Sequence, residues 1–205
     1  MLAVLRASSV PSVLPNTMVE RLKVTEEDIA VVRPTVSARL VTITLEDLTA
    51  VPPQPATTPD LDRLETLMFT LVNTARWENG RRWLPNNQLK WHPGLAAVAR
   101  GHSADMLKRQ YVAHTSPEGV DAAGRISRYG LSYLACGENI GVFYGAASGE
   151  ETAVYEIHHT FMRQPATARS HRGNLLNPLW THVGIGIAYA PSGALLATQN
   201  FIATI

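Results

Sequence analysis

Residues 170–186 read SHRGNLLNPLWTHVGIG and decide the fold, because a polar segment with two histidines runs directly into an apolar strand. Small and β-branched residues follow one another without a charge over residues 183–190, which predicts a strand. Residues 194–202 have the same character, and the Pro191-Ser192-Gly193 segment between the two runs predicts a tight turn. The two strands are therefore expected to form an antiparallel hairpin.

Three helices are predicted upstream of this hairpin. Asp60 is placed to cap a helix whose apolar residues recur at three- and four-residue steps, and Asn79-Gly80 marks its end. A second helix is predicted from Pro93, because proline suits the first turn and an apolar stripe follows it. A third helix is predicted over residues 150–162.

The composition divides the chain near residue 59, because all seven histidines and all four tryptophans lie beyond it. Residues 1–59 are predicted to be an N-terminal extension that ends in a Pro-rich linker and contains a half-buried strand over residues 37–48. Residues 60–205 are predicted to be the working domain. A chain of 205 residues with 45% hydrophobic residues has room for one globular domain and an appendage, not for two full domains.

Charge and cysteine content exclude several classes of protein. The 18 Lys and Arg residues nearly balance the 17 Asp and Glu residues, so no overall field attracts nucleic acid. Cys136 is the one cysteine, which excludes a disulfide scaffold. No run approaches the roughly 18 consecutive apolar residues of a membrane span, and residues 1–14 lack the uninterrupted apolar core of a secretory signal. We expect no nucleic-acid partner, no membrane span and no visible signal peptide.

Three local clusters carry polar side chains that are suited to chemistry. His114 precedes a Ser-Pro turn within residues 113–119, Glu138 lies in the GENI segment at residues 137–140, and His171 belongs to the segment quoted above. A neutral imidazole offers one donor and one acceptor, titrates near pH 6.5, and has its tautomer fixed by a nearby glutamate. The clusters are far apart along the chain, so only folding can gather them.

In this order, and together with HSADM at residues 102–106 and TQNF at residues 198–201, the clusters resemble the CAP superfamily in its bacterial form. That superfamily contains cysteine-rich secretory proteins, insect antigen 5 and plant pathogenesis-related proteins. The resemblance covers residues 60–205 and implies an α+β fold, an α-β-α sandwich with a small antiparallel sheet between helical layers. Because relatives are usually secreted, it also implies an extracellular or cell-envelope location.

The resemblance further implies a cleft lined by two histidines and two glutamates. The matching motifs transfer three of these positions to His114, Glu138 and His171. The family's second glutamate lies on the helix before the last histidine, and Glu156 is the carboxylate near the end of that helix here. Counting forward from Glu138 without gaps favours His159 instead. Glu156 is therefore the expected fourth cleft residue, with His159 as the alternative.

Two functional classes stay open for this cleft. The first, which we favour, is a binding module for a lipid, glycan, peptide or protein partner. The second is a metal-assisted or acid–base hydrolase that acts on peptide, ester or cell-envelope substrates through His114, Glu138 and His171. No cofactor is required, but a divalent cation such as zinc could bind His114 and His171, although the chain has no local His-Glu-x-x-His motif. A resemblance of this kind fixes a fold better than a reaction.

Three further residues are assigned structural roles. Ser116, close to His114, is predicted to make a turn instead of acting as a nucleophile. Cys136 would place a thiol nucleophile near the cleft, but it is predicted instead to be a small buried residue beside Gly137. His102 lies on the apolar stripe of its helix and is predicted to be a core histidine.

Overall fold

The computed structural model describes residues 23–24, 30–32, 59–79, 87–144 and 149–204. In these ranges the helices are α1 (Leu61–Asn79), α2 (Pro93–Arg109), α3 (Ala122–Arg128), α4 (Glu150–Arg163) and α5 (His171–Leu175). The strands are β1 (Lys23–Val24), β2 (Ala30–Val32), β3 (Lys90–Trp91), β4 (Tyr111–Val112), β5 (Ala135–Tyr144), β6 (His182–Tyr189) and β7 (Ala194–Ala203).

The main sheet of the described residues has five strands in the order β2-β5-β7-β6-β3. The long central strand β7 is antiparallel to both β5 and β6, while the short edge strands β2 and β3 pair in parallel with β5 and β6, respectively. The predicted hairpin is confirmed as β6 and β7, and Gly193 adopts a φ of 85° in the turn between them. The polar segment before β6 therefore lies next to the central strands.

Helices cover both faces of this sheet. Alternate side chains of a strand point to opposite faces, and Val183, Ile185 and Ile187 of β6 join α1 and α4 in the main hydrophobic core. On the other face α2 packs against β6 and β7. The predicted α-β-α sandwich is confirmed.

The contact between α2 and β6 depends on two glycines. A Cβ atom at Gly184 would lie 2.2 Å from the backbone nitrogen of Ala96, and one at Gly186 would lie 1.9 Å from that of Arg100. The Ser103 hydroxyl also donates a hydrogen bond of 2.8 Å to the Gly186 carbonyl. Only glycine allows the helix backbone to approach the strand this closely, which is the physical reason for the Gly-x-Gly pattern.

The three predicted helices are present, with bounds close to those expected. α1 begins after Asp60, whose carboxylate accepts a hydrogen bond of 3.1 Å from the backbone N–H of Arg63. α2 begins at Pro93, and the ring nitrogen Nδ1 of His92 accepts from the N–H of Leu95 at 3.3 Å. The short helices α3 and α5 have too few residues to show a periodic pattern and were not expected from the sequence. In the part of the chain that the structure describes, no helix has the length and apolar character needed to cross a membrane.

Part of the N-terminal extension joins the sheet. Strand β2 pairs with residues 141–143 of β5, and Ala30 is buried in the main core. Strand β1 pairs separately with β4. The strand predicted over residues 37–48 and the Pro-rich segment at residues 51–58 lie outside the described residues.

Candidate functional site

A polar cleft lies at the edge of the sheet beside the first half of β5. Among the described residues, strand β2 pairs with residues 141–143 of β5, and residues 136–139 border a cavity of about 300 Å³. Because neighbouring strand residues point to opposite faces, Glu138 and Asn139 enter the cleft from different sides of the sheet. The cavity is lined by His114, Cys136, Gly137, Glu138, Asn139, Ala168, Arg169, Ser170, His171, Asn174, Asn177 and Trp180. The three residues transferred by resemblance are therefore all part of one cavity wall.

Glu138 is held by a buried ion pair. Its side chain is only 3% exposed, and Arg125 Nη2 donates to both carboxylate oxygens at 2.9 and 2.7 Å. His114 Nδ1 lies 2.9 Å from Glu138 Oε1. Because the carboxylate can only accept, Nδ1 of His114 must carry the proton. The charge of Glu138 is thus balanced by Arg125, and the same carboxylate orients the imidazole.

Arg125 also fixes the backbone around His114. Its Nη1 donates to the carbonyl oxygens of His114 and Val120 at 2.9 and 2.8 Å. A buried carboxylate needs a paired cation, so the sequence required some partner for a buried Glu138. Nothing in the local pattern of α3 identified Arg125 as that partner.

His171 has an amide partner where His114 has a carboxylate. Gln164 Oε1 lies 2.8 Å from the backbone nitrogen of His171 and 3.0 Å from its Nδ1. The backbone N–H can only donate, so the amide oxygen faces His171 and Nδ1 must also carry a proton. The ring stacks on Phe161 with 4.5 Å between centroids and 12° between planes. The imidazole is therefore locked in orientation and tautomer by neutral groups.

Two asparagines join β5 to α5. Asn174 Nδ2 donates to the Glu138 carbonyl at 3.1 Å and to Asn139 Oδ1 at 2.9 Å. Asn139 Nδ2 in turn donates to the His171 carbonyl at 3.2 Å, and Trp180 Nε1 donates to the Asn174 carbonyl at 2.8 Å. This network holds α5, and with it His171, against the strand that carries Glu138.

Residues 69–201 match the family model described as CAP, Cysteine-rich secretory protein family. The chain belongs to the CAP family. Its similarity to the Bacillus subtilis protein YkwD, which is uncharacterised, is 33% identity over 138 residues, covering 67% of this chain and 46% of that protein. An uncharacterised membrane protein of the same species, YlbC, is 29% identical over 140 residues, covering 67% of this chain and 34% of YlbC. The chain therefore spans less than half the length of either relative.

Two solved structures are similar to this CAP chain. An extracellular protein from Bacillus anthracis that contains an SCP domain is 28% identical with a TM-score of 0.58, over 74% of this chain and 45% of that one. An outer surface protein of Borrelia burgdorferi has the same TM-score at 15% identity, over 73% of this chain and 98% of that one. The second likeness supports the fold alone.

The structure does not bring Glu156 or His159 to the cleft. Both residues line a different cavity, of about 610 Å³, between α1 and α4. Glu156 stands eight residues before Gln164, which is about 12 Å along a helix axis. Gln164, the residue just after α4, is instead the group at this end of the helix that contacts His171.

The surroundings of the two candidate nucleophiles, Ser116 and Cys136, favour structural roles over nucleophilic catalysis. Ser116 Oγ accepts a hydrogen bond of 3.3 Å from the N–H of Val120, and Gly119 N–H donates to the Ser116 carbonyl at 2.8 Å. Ser116 is therefore part of a turn. Cys136 borders the cleft, but burial raises the pKa of its thiol, which disfavours the reactive thiolate.

His102 is a core histidine, as predicted. Its side chain is buried, and Nε2 donates to the Ala113 carbonyl at 3.0 Å. Burial lowers the pKa of His102 to about 4, and the nearby charge of Arg125 acts in the same direction. The residue is neutral near pH 7 and supports the backbone next to His114.

The cleft does not have the ligand set of a closed zinc site. No group of three or more His, Cys, Asp or Glu side chains within the described ranges is placed to hold a metal ion. The Glu138 carboxylate is bonded to Arg125, and Nδ1 of His171 is bonded to the amide oxygen of Gln164. A zinc ion would have to rely on the two imidazoles of His114 and His171, whereas protein zinc sites use three or four ligands. Zinc binding stays a prediction, and we derive no chemical step from it.

Proposed function

We propose that this CAP domain is a binding module whose cleft takes a short polar ligand. The observation that carries the proposal is the state of Glu138, whose two oxygens are both bonded to Arg125 while one also accepts from His114. A general base must be able to accept a proton from the substrate. A carboxylate that is buried and paired with an arginine is better suited to orienting His114.

The lining of the cleft favours a glycan or a peptide over a lipid. Most of its walls are imidazole, amide, hydroxyl and guanidinium groups, which recognise ligands through hydrogen bonds. A volume of about 300 Å³ is at the lower end for ligand pockets, which suits one sugar ring or a short peptide segment. Arg169 is exposed at the rim and would favour a ligand with a carboxylate.

Titration of isotope-labelled protein tests this function. The probes are oligomers of N-acetylglucosamine and short acetylated peptides with a free or an amidated carboxyl terminus, and the signals followed are the Gly137 amide and the His114 ring. We expect a saturable shift with one probe class, weakened severalfold by Arg169→Gln. The matched control Arg63→Gln, an exposed arginine on α1, should bind like the wild type. The absence of a saturable shift with every probe would contradict the proposal.

The alternative function is a hydrolase with His114 as its base. It is favoured by one observation, the carboxylate that orients the imidazole, which is an arrangement used in acid–base catalysis. In the same titration this alternative predicts new signals from cleaved glycan or peptide. Elemental analysis and zinc titration of the wild type beside His114→Ala and His171→Ala test the metal-assisted form.

We also propose an extracellular or cell-envelope location. The support comes from the Bacillus anthracis neighbour, which is described as an extracellular protein. Fractionation of the producing cells with an antibody against this chain tests the location. Recovery in the cytoplasmic fraction alone would contradict it.

A further inference from the structure

We propose that a second cavity, behind the cleft, binds a small organic anion that carries a flat ring. This cavity has a volume of about 500 Å³ and lies between α2, the turn at residues 116–120 and α3. Arg125 belongs to its wall, so the residue that holds Glu138 in the cleft also borders the second cavity. The proposal does not depend on the function of the cleft.

One wall of the second cavity is a straight row along α2. Ala97, Gly101, Asp105 and Arg109 are spaced by four residues and therefore share one helix face. A Cβ atom at Gly101 would meet no heavy atom within 4 Å, so the middle of the row is open. The row begins with small residues and ends with charged ones, which gives the cavity an apolar end and a polar end.

The opposite wall is a face of α3. Arg125, Arg128 and Tyr129 are related by steps of three and four residues, so their side chains leave the helix on the same side. Tyr129 is 54% exposed, and a phenol ring in this position offers a flat surface for another ring. Arg128 can reach the same ligand from the preceding position.

The carboxylates that line the cavity pair with Arg109, which makes Arg128 the arginine best placed to bind a ligand. Glu118 and Asp105 are already bonded to Arg109, at 2.9 and 3.4 Å, and Asp105 also accepts from Tyr111 at 2.6 Å. The exposed side chain of Arg128, by contrast, makes no hydrogen bond or ion pair with another side chain of the described residues, and the Nε of Arg125 is buried without a hydrogen-bond partner there. Guanidinium groups bind carboxylates strongly, so the anion is expected on the α3 side.

Benzoate and benzamide form a matched pair of probes, because they share the ring and differ in the charge. We expect benzoate to shift the amide signals of Gly101, Gly124 and Gly130 saturably, and benzamide to bind at least about tenfold more weakly. Arg128→Gln should lower the affinity for benzoate by about tenfold, since a hydrogen bond to a charged group contributes on the order of 1.5 kcal/mol. Arg163→Gln, an exposed arginine on α4, should leave benzoate binding unchanged.

A second pair of variants tests the location without changing charge. Gly101→Leu fills the open part of the row and should abolish the benzoate shift, whereas Ala104→Leu, exposed on α2 outside the cavity lining, should keep it. Equal binding of benzoate and benzamide, or an unchanged affinity in both Arg128→Gln and Gly101→Leu, would overturn the proposal. So would shifts that follow Gly137 instead of Gly101, because these would place benzoate in the cleft.

Discussion

The buried imidazole of His102 should make the fold sensitive to acid. In the folded protein burial lowers its pKa from 6.5 to about 4. When the chain unfolds the imidazole returns to water and binds a proton at any pH below about 6.5. Between these two pKa values the unfolded state binds more protons than the folded state, so stability falls as the pH decreases through this window.

The size of the effect follows from the shift. Each pKa unit corresponds to about 1.4 kcal/mol, so lowering the pH from 7 to about 4.5 should remove about 2.5 kcal/mol of unfolding free energy through His102. His158 has a similarly lowered pKa of about 4, caused by burial and then by His159, and adds to the loss. A single substitution should therefore remove only part of the pH dependence.

Urea unfolding of the wild type and His102→Gln at pH 7 and about pH 4.5 isolates the contribution of His102. Glutamine can still donate to the Ala113 carbonyl but does not titrate. We expect the variant to lose about 2.5 kcal/mol less than the wild type, since His158 is common to both. The control Arg163→Gln, exposed on α4, should lose as much as the wild type, because arginine does not titrate in this pH range. Equal losses in wild type and His102→Gln would refute the argument.

Four further substitutions give expected results. Gly186→Ala should lower the free energy of unfolding by about 3 kcal/mol or more in thermal or urea unfolding, because the new Cβ would clash with the backbone of α2. Its matched control is Gly101→Ala, at an open helical position, which should raise the free energy of unfolding by about 0.5–1 kcal/mol. Arg125→Met should lower the free energy of unfolding by about 3–5 kcal/mol in the same assay, because the Glu138 carboxylate would stay buried without its cation. Gln164→Ala should destabilise by about 1–3 kcal/mol and allow both ring tautomers of its histidine partner in nitrogen NMR spectra.

Each of these predictions has an outcome that would contradict it. Equal stability of the two glycine variants would mean that the helix and strand separate easily. An Arg125→Met protein as stable as the wild type would show that another group neutralises the carboxylate. A single protonated Nδ1 in Gln164→Ala would show that the amide does not set the tautomer.

The sequence predicted the long elements because their signals are local. The cap at Asp60, the proline at position 93 and the apolar repeat that follows each of them predict helices without reference to the rest of the chain. Two apolar runs on either side of a turn segment likewise predict the hairpin of β6 and β7. Short elements such as α5 carry no such periodicity, because five residues make little more than one turn.

The site could be predicted only in part, because its supports are tertiary. Motifs indicated His114, Glu138 and His171, and the structure places all three on one cavity wall. Neither Arg125 nor Gln164 has a recognisable motif, and each acts only once α3 or the end of α4 is packed against the cleft. These two residues meet their partners only through tertiary packing, which the spacing of residues along the chain does not reveal.

The pairing of β2 with β5 has a practical consequence for anyone who prepares this domain. A polypeptide trimmed at the compositional boundary, to begin at Pro59, would lose Ala30 from the core and leave the backbone of residues 141–143 without its neighbouring strand. Uncovered edges of this kind recruit strands from other molecules. Recombinant protein that starts before Lys23 should stay monodisperse at concentrations where the trimmed polypeptide self-associates.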